Sequence, residues 1–211
     1  MPRIEPFNRY MSEYEDWFEK NHFAYISELR AVKKQLPENA KSVEIGVGTG
    51  RFAAPLGIEL GLEPSSSMRK LAERREIQVV GGVAEELPFA EGRFNLALMV
   101  TTICFLDDIE MAFQEVNRIL VPNGCFIVGF IDKDSLLGRK YLKYKKNNEF
   151  YKIATFYSVN EVVAVLERVG FRNFSFVQTI FRPLNDIDGV EPVKDGYGLG
   201  SFVVINAQKG I

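Results

Sequence analysis

The 211-residue chain is poor in metal-binding and redox side chains: it has one histidine, His22, and two cysteines, Cys104 and Cys125. So few nitrogen and sulfur ligands leave no set for a zinc centre, and no CxxC, HExxH or GxSxG motif occurs. Each cysteine sits inside an apolar segment, which reads as a buried structural thiol in a reducing compartment rather than as half of a disulfide. Long apolar runs are also missing. The cleanest, residues 96–100 and 162–166, fall far short of the roughly 18 residues of a membrane-spanning helix. Residues 1–22 mix charges with aromatics and hold no export-signal core, so a cytoplasmic protein with no membrane partner is expected. Neither sign of charge dominates: 26 basic and 28 acidic residues leave a formal net charge of −2. That balance argues against a protein that coats a nucleic-acid backbone.

Hydrophobic residues make up 46% of the chain, enough for one buried core, and the length fits a single domain. Trp17, Phe18, Tyr25, Ile26, Leu29, Val32 and Leu36 recur at helical spacing and predict one helix over 13–36, closed by Pro37. Short strands are predicted at 42–45, 58–62, 77–80, 94–102 and 125–131. Helical patterns alternate with them, which implies a parallel, doubly wound sheet. Residues 133–156 are rich in Lys, Tyr and Asn and only weakly periodic. Ser158-Val159-Asn160-Glu161 matches a capping box opening a helix that ends before Gly170. Two further strands are expected over 174–181 and 202–207, and the turn-rich connection 183–200 reads as a functional or mobile loop.

A glycine-rich turn after the first strand of such a sheet is the ordinary seat of a nucleotide-containing ligand. Here the turn is Gly46-Val47-Gly48-Thr49-Gly50, with Arg51 where the dinucleotide fingerprint G-x-G-x-x-G needs glycine. Glu44 stands just before it. A carboxylate there repels a diphosphate, by about 1 kcal/mol at 4 Å even in water, but suits a ligand carrying an ammonium group or a positive sulfur. Glu63 ends the second strand, where an acid accepts hydrogen bonds from both ribose hydroxyls. A ribose clamp, a close-approach loop and an acid in place of phosphate-binding features together point to S-adenosylmethionine.

In these residues the chain resembles the class I S-adenosylmethionine-dependent methyltransferases, in their type 11-like small-molecule branch. Val43-Glu44-Ile45-Gly46-Val47-Gly48-Thr49-Gly50 is similar to the family's first motif, and Gly61-Leu62-Glu63-Pro64-Ser65 with Met68 to its acidic ribose-binding strand end. Gly82-Val83-Ala84-Glu85-Glu86-Leu87-Pro88-Phe89 resembles the adenine-side motif, and Arg118-Ile119-Leu120-Val121-Pro122-Asn123-Gly124 the turn into the fifth strand. The four keep family order over residues 43–131. The resemblance implies a doubly wound α/β fold: a mostly parallel seven-stranded sheet with an antiparallel last strand, helices on both faces and an N-terminal helical cap. It divides a single domain, 1–211, into a cap (1–41), a cofactor-binding half (42–131) and an acceptor-side half (132–211) with a lid segment at 133–156.

It further implies which residues hold the cofactor. Gly46, Val47, Gly48 and Gly50, with Glu44, go to the methionine moiety, and Glu63 and Pro64 to the ribose. Met68, Ala84 and Glu85 go to the adenine, and Thr101 lies near the sulfonium and amine. Val83 departs from the pattern: the family often has Asp there to accept from the adenine amino group, so Glu85 substitutes or the bond is lost, at about 0.5–1.5 kcal/mol. Tyr14, Trp17 and Tyr25 are either core residues or a cap over cofactor or substrate. His22 is the candidate general base by its pKa range, against the plain reading of a lone helical histidine. Asp107 and Asp108 read first as a helix cap. Arg139, Lys140, Lys143, Lys145 and Lys146 form a cationic cluster, either solvated or drawing an anionic acceptor.

The expected activity is methyl transfer from S-adenosylmethionine to nitrogen or oxygen of a small molecule. No N/D-P-P-Y motif of amino-methylating DNA enzymes is present, and nucleic acid is not an expected partner. The alternatives are a non-catalytic S-adenosylmethionine-binding module and, less favoured, a nicotinamide-dependent reductase. For the latter, Tyr141 and Lys145 have the Tyr-x-x-x-Lys spacing but lie after the fifth strand. The acceptor pocket is expected between the N-terminal helix, residues 102–108, the 133–156 segment and the 183–200 loop.

Overall fold

The computed structural model describes residues 4–210. The first five strands are β1 (Ser42–Ile45), β2 (Leu60–Leu62), β3 (Gln78–Val80), β4 (Phe94–Val100) and β5 (Leu120–Ile131). Three more follow: β6 (Phe171–Thr179), β7 (Lys194–Asp195) and β8 (Phe202–Lys209). Across the sheet the order is β3-β2-β1-β4-β5-β8-β6-β7. The first five pair in parallel, and β8 runs antiparallel between β5 and β6. Seven strands match the expectation. The eighth, β7, is a two-residue edge strand that folds the 183–200 connection back onto Val177 and Gln178.

Strand β4 shows why a near-continuous apolar run was needed. Leu96, Leu98 and Val100 face one core, while Ala97 and Met99 face the other, as the period of two requires. A register shift between Phe94 and Leu96 puts Phe94 on the same side as Ala97. On one face lie α6 (Ile109–Ile119) and α8 (Val159–Arg168), whose Phe113, Val116, Val162 and Leu166 are fully buried. Against the other face packs α3 (His22–Gln35), through Ala31 and Val32, over β6 and β8. The capping box of α8 is present between Ser158 and Glu161. Asp108, not Asp107, caps α6, accepting from the Met111 N–H at 3.0 Å.

The N-terminal helix departs from the sequence expectation. Instead of one helix over 13–36 there are α1 (Glu5–Arg9), α2 (Met11–Lys20) and α3. The break is at Asn21, whose backbone N–H and side-chain Nδ2 both donate to the Trp17 carbonyl at 2.9 Å, ending α2. An asparagine satisfying an orphan carbonyl in this way lets the chain change direction without interrupting its apolar spacing. Cys104 and Cys125 are not joined by a disulfide, but each is half-buried where full burial was expected. Among the described residues no helix is long and apolar enough to cross a membrane.

Candidate active site

The strand order reverses direction at β1, with β2 on one side and β4 on the other. That is the topological switch point, where a crevice opens beyond the carboxyl ends of the strands. A cavity of about 110 Å³ lies there. Its floor is the loop after β1, where Gly46 has φ 73° and Gly48 φ 55°. A Cβ on Gly46 would lie 2.4 Å from Thr102 Cγ2, and one on Gly48 would lie 3.2 Å from the Tyr14 hydroxyl. Only glycine satisfies both the left-handed backbone and the close approach.

Glu63, at the end of β2, is buried at 7% exposure and lines this cavity. Its Oε2 accepts from the Gly48 N–H at 3.0 Å and its Oε1 from the Ser65 N–H at 2.8 Å. Burial pushes its pKa up, and the two N–H groups pull it partly back. Pro64 and Met68 continue the wall; Met68 belongs to α5 (Ser66–Arg74), whose N-cap Ser65 also donates to Asn8 Oδ1 of α1. Val83, Ala84 and Glu85 form the side beyond β3. Glu85 Oε1 accepts the Asp107 and Asp108 N–H groups at 2.9 and 3.2 Å, fixing the turn that enters α6. Thr101, just past β4, has φ 52°, a strained conformation for a β-branched residue. Its N–H still donates to Gly129 at 2.8 Å, which holds it at the strand end.

A second, larger chamber of about 260 Å³ adjoins the first, and Phe7, Tyr14, Thr101 and Phe105 line both. Trp17 and Phe18 of α2 close one side, and Tyr141, Phe150, Tyr151 and Phe156 from the 133–156 segment close another. The Tyr141 and Tyr151 rings are 4.4 Å apart and their hydroxyls hydrogen-bond. Burial pushes Tyr141 up to about 12 and Tyr151 well above its ordinary value, so both remain phenols at neutral pH. Tyr14 is likewise raised by burial, then by the charges of Glu63, Glu44 and Glu15. The polar groups of this wall are few: Glu13 at the exposed rim, Asn148, and Glu28 on the buried face of α3. Burial alone pushes Glu28 up to about 8. Among the described residues, no Lys or Arg lines either cavity.

Helix α2 is clasped over the glycine loop by Glu15. Its carboxylate accepts from Thr49 Oγ1 at 2.5 Å, from Arg51 at 2.7 and 3.1 Å, and from Arg75 at 2.6 Å. Arg51, the residue that breaks the dinucleotide fingerprint, thus serves the cap. It also reaches Glu19 at 3.0 Å and lies 5.1 Å over the Phe18 ring.

The structure therefore brings Gly46, Gly48, Glu63, Pro64, Met68, Ala84, Glu85, Thr101 and Tyr14 to one cavity, and Trp17 to its neighbour. Five expected site residues lie outside both linings. Val47 is buried behind the loop, where a Cβ on Gly61 would stand 2.5 Å from its Cγ1. Gly50 packs on Ala72. Glu44 is sealed at 2% exposure, accepting from the Ala53 N–H that starts α4 (Ala53–Leu56) while Oε2 has no partner. Tyr25 is core and donates to the Arg51 carbonyl at 2.5 Å. His22 opens α3 on the exposed side, against Phe23, so the break at Asn21 turns the general-base candidate away from the site.

The 183–200 loop reaches neither cavity. Glu191 ties it to α3 through its N–H to Ser27 Oγ at 2.8 Å and holds Arg182 at 2.7 Å. Of the cationic cluster, Arg139, Lys140, Lys143 and Lys146 are exposed and Lys145 half-buried, outside both linings. Glu28, Phe105, Phe150 and Tyr151 lie in three of the four segments expected to wall the acceptor pocket, though none is singled out by the sequence, and Phe7 lies outside those segments. Glu28 alone left a signal: it stands three residues after Tyr25 and four before Val32, on the apolar stripe of α3.

Comparison with known proteins agrees with this geometry. The methyltransferase domain family matches residues 43–128. An uncharacterized protein of Methanocaldococcus jannaschii is 42% identical over 96% of this chain and 98% of its own. A demethylmenaquinone methyltransferase of Chlorobaculum tepidum is 28% identical over 60% of this chain and 57% of its own. A Thermotoga maritima protein of known crystal structure superposes with a TM-score of 0.94 at 51% identity, over 96% of this chain and 97% of its own. It is described as an S-adenosylmethionine-dependent methyltransferase, "possible histamine N-methyltransferase". With a switch-point cavity built from the glycine loop and Glu63, the chain belongs to the S-adenosylmethionine-dependent methyltransferases.

Proposed function

We propose that this enzyme transfers a methyl group to a nitrogen or oxygen atom of a small molecule seated in the aromatic chamber. The observation that carries the reading is the common wall. Thr101, Tyr14, Phe7 and Phe105 line both cavities, so an acceptor in the larger one abuts whatever occupies the smaller one.

The residues fit the cofactor. Among the described residues the smaller cavity offers a carboxylate and no cation, which suits a ligand with a ribose, an amine and no phosphate and disfavours a pyrophosphate. Glu63 would hold the ribose, the Gly46 and Gly48 backbone the methionine part, and Met68, Val83, Ala84 and Glu85 the adenine. Val83 gives the adenine amino group no acceptor, but Glu85 keeps a second carboxylate oxygen beyond the one spent on Asp107 and Asp108. S-adenosylmethionine, when bound, supplies a methyl group already activated on a positively charged sulfur.

The chain's own task is then alignment and exclusion of water. Phe7 packs edge-on to Phe105 at 4.8 Å and tilted to Phe150 at 5.3 Å, closing the common wall with side chains that offer water no hydrogen bond. The Glu15 clasp holds α2, with Tyr14 and Trp17, over the same place. No histidine or cysteine is needed for this kind of transfer. The description of the Thermotoga maritima relative as a "possible histamine N-methyltransferase" agrees with a chamber whose described lining holds no Lys or Arg.

The test is label transfer from methyl-labelled S-adenosylmethionine to a panel of small amines and phenols. Phe156 lines only the larger chamber, so Phe156→Ala should raise the acceptor KM about tenfold or more. Its affinity for S-adenosylhomocysteine should not change. An unchanged KM would place the acceptor elsewhere.

A further inference from the structure

Glu28 has no use in the fold. Its side chain is 3% exposed, and among the described residues no hydrogen bond or ion pair engages it. Other buried carboxylates are engaged: Glu63 takes two backbone N–H groups, and Glu191 takes Arg182. Burying an acid without a partner costs stability, and nothing in α3 repays it, since the helix packs on β6 and β8 through Ala31, Val32 and their neighbours. The carboxyl instead lines the larger chamber.

The rest of that chamber matches such an acid. Trp17, Tyr141, Phe150, Tyr151 and Phe156 present aromatic rings, whose faces attract cations. Among the described residues no Lys or Arg lines the wall to neutralise Glu28, and the lysines of the 133–156 segment lie outside the lining. Tyr141 and Tyr151 both feel the Glu28 charge, which places the acid near this pair of tilted tyrosine rings. A ring-walled space with one buried, unpartnered carboxylate, Glu28, and a second acid, Glu13, at its exposed rim is complementary to an ammonium group on an apolar body. It opposes carboxylates and phosphates.

Resting on the reading of this chamber as the acceptor site, we propose that the acceptor is a small organic cation, a protonated amine on an apolar or aromatic body. Its ammonium group pairs with the Glu28 carboxylate on binding. For transfer that nitrogen gives one proton to the carboxylate, and the lone pair so freed forms the N–C bond as the bond between the methyl carbon and the sulfonium breaks. The residue is a specificity determinant: it selects amines over neutral and anionic molecules of the same shape.

Trp17 is the single tryptophan of the chain and lines the chamber, so its fluorescence reports occupancy without turnover. The full-length protein, saturated with S-adenosylhomocysteine, is titrated at pH 9, where most of the Glu28 carboxyl is ionised, with 2-phenylethylamine, 2-phenylethanol and phenylacetate, and with a series of shorter and longer amines and alcohols. The amines should bind at least tenfold more tightly than the matched alcohols, and phenylacetate should not bind. Glu28→Gln should bring the amines to the level of the alcohols while leaving affinity for S-adenosylhomocysteine unchanged.

Alcohols or the acid binding as tightly as amines to the wild-type protein would overturn the proposal. So would amine affinity that survives Glu28→Gln, or the absence of any amine response at Trp17. The wild-type comparison needs no variant, so it stands even if Glu28→Gln folds poorly. If Phe156→Ala impairs turnover yet Glu28→Gln leaves amine affinity intact, the chamber is the acceptor site and only this inference fails. If Phe156→Ala has no effect on turnover, the chamber itself was misread.

Discussion

Amine binding to this protein should release a proton. In the ligand-free chamber burial holds Glu28 at a pKa of about 8, so at pH 7 about nine in ten molecules carry the carboxyl protonated. An ammonium ion pairs with the carboxylate, not the acid, so binding at pH 7 expels about nine-tenths of a proton and at pH 9 about one-tenth. Affinity should rise about tenfold from pH 6 to pH 7 and level off above about pH 8. Raising the carboxyl from 4.5 to about 8 corresponds to about 5 kcal/mol. A bound cation has to offset part of that before it gains anything, so neutral analogues bind without this cost and without this gain.

Several other titratable groups line the chamber: Glu13, Tyr14, Cys104, Tyr141, Tyr151 and Tyr157. Tyr14, Tyr141 and Tyr151 are raised and stay neutral through this range. Glu13→Gln serves as the control for the rim acid. Calorimetry of 2-phenylethylamine binding in two buffers of different ionisation heat measures the proton count directly. The predicted result is a buffer-dependent heat that disappears in Glu28→Gln and persists in Glu13→Gln. A heat independent of buffer at pH 7, or one that survives in Glu28→Gln, refutes the reasoning.

Stability should carry the same signature. A carboxyl whose folded pKa is raised favours folding fully below about pH 4.5, and that contribution is lost as pH climbs through about 8. Between pH 5.5 and 8 the protein should lose about 3 kcal/mol in urea unfolding, and Glu28→Gln should flatten the slope; a flat wild-type profile would contradict the burial of Glu28. Glu63→Gln should weaken S-adenosylhomocysteine binding by about 1–3 kcal/mol, through lost charge-assisted hydrogen bonds to the ribose and to Gly48 and Ser65. Calorimetry checks this, and unchanged affinity would misplace the ribose. Glu15→Ala should loosen α2 by about 1–2 kcal/mol, discounted because the clasp is partly exposed. Faster hydrogen exchange over residues 11–20 would report it, and unchanged protection there would show the clasp is not what holds the cap. Gly46→Ala should abolish cofactor binding, since its Cβ would meet Thr102 at 2.4 Å in a left-handed backbone; binding within tenfold of wild type would show that the loop yields.

What was legible in the sequence was whatever a single strand and its turn dictate locally. Glycines at 46 and 48 mark a left-handed close approach, because a Cβ fits neither place well, and the acid after β2 marks a side chain that lines the same crevice. The last strand and the capping box of α8 were equally local, whereas the antiparallel direction of β8 was implied by the family resemblance. The acceptor side was less legible because its walls are assembled from afar. Tyr141, Phe150 and Tyr151 come from a short helix and 3₁₀ turns too brief to show a period. The break at Asn21 was hidden because apolar spacing records which face is buried, not the direction of the helix axis. Glu28 sits on a buried stripe as a charge, and only the neighbouring chamber gives that oddity a meaning. Glu44 shows the converse: a motif residue read toward the ligand closes the loop from behind, at the N-terminus of α4.

The central claim is that an acceptor in the aromatic chamber takes the methyl group. Mass spectrometry of a small-molecule panel incubated with the enzyme and S-adenosylmethionine tests it most directly, with S-adenosylhomocysteine quantified in the same samples. The account predicts that amines gain one methyl group per S-adenosylhomocysteine formed, and that Phe156→Ala and Glu28→Gln depress this gain. Tight cofactor binding with no amine methylated, or methylation confined to anionic molecules, would contradict it.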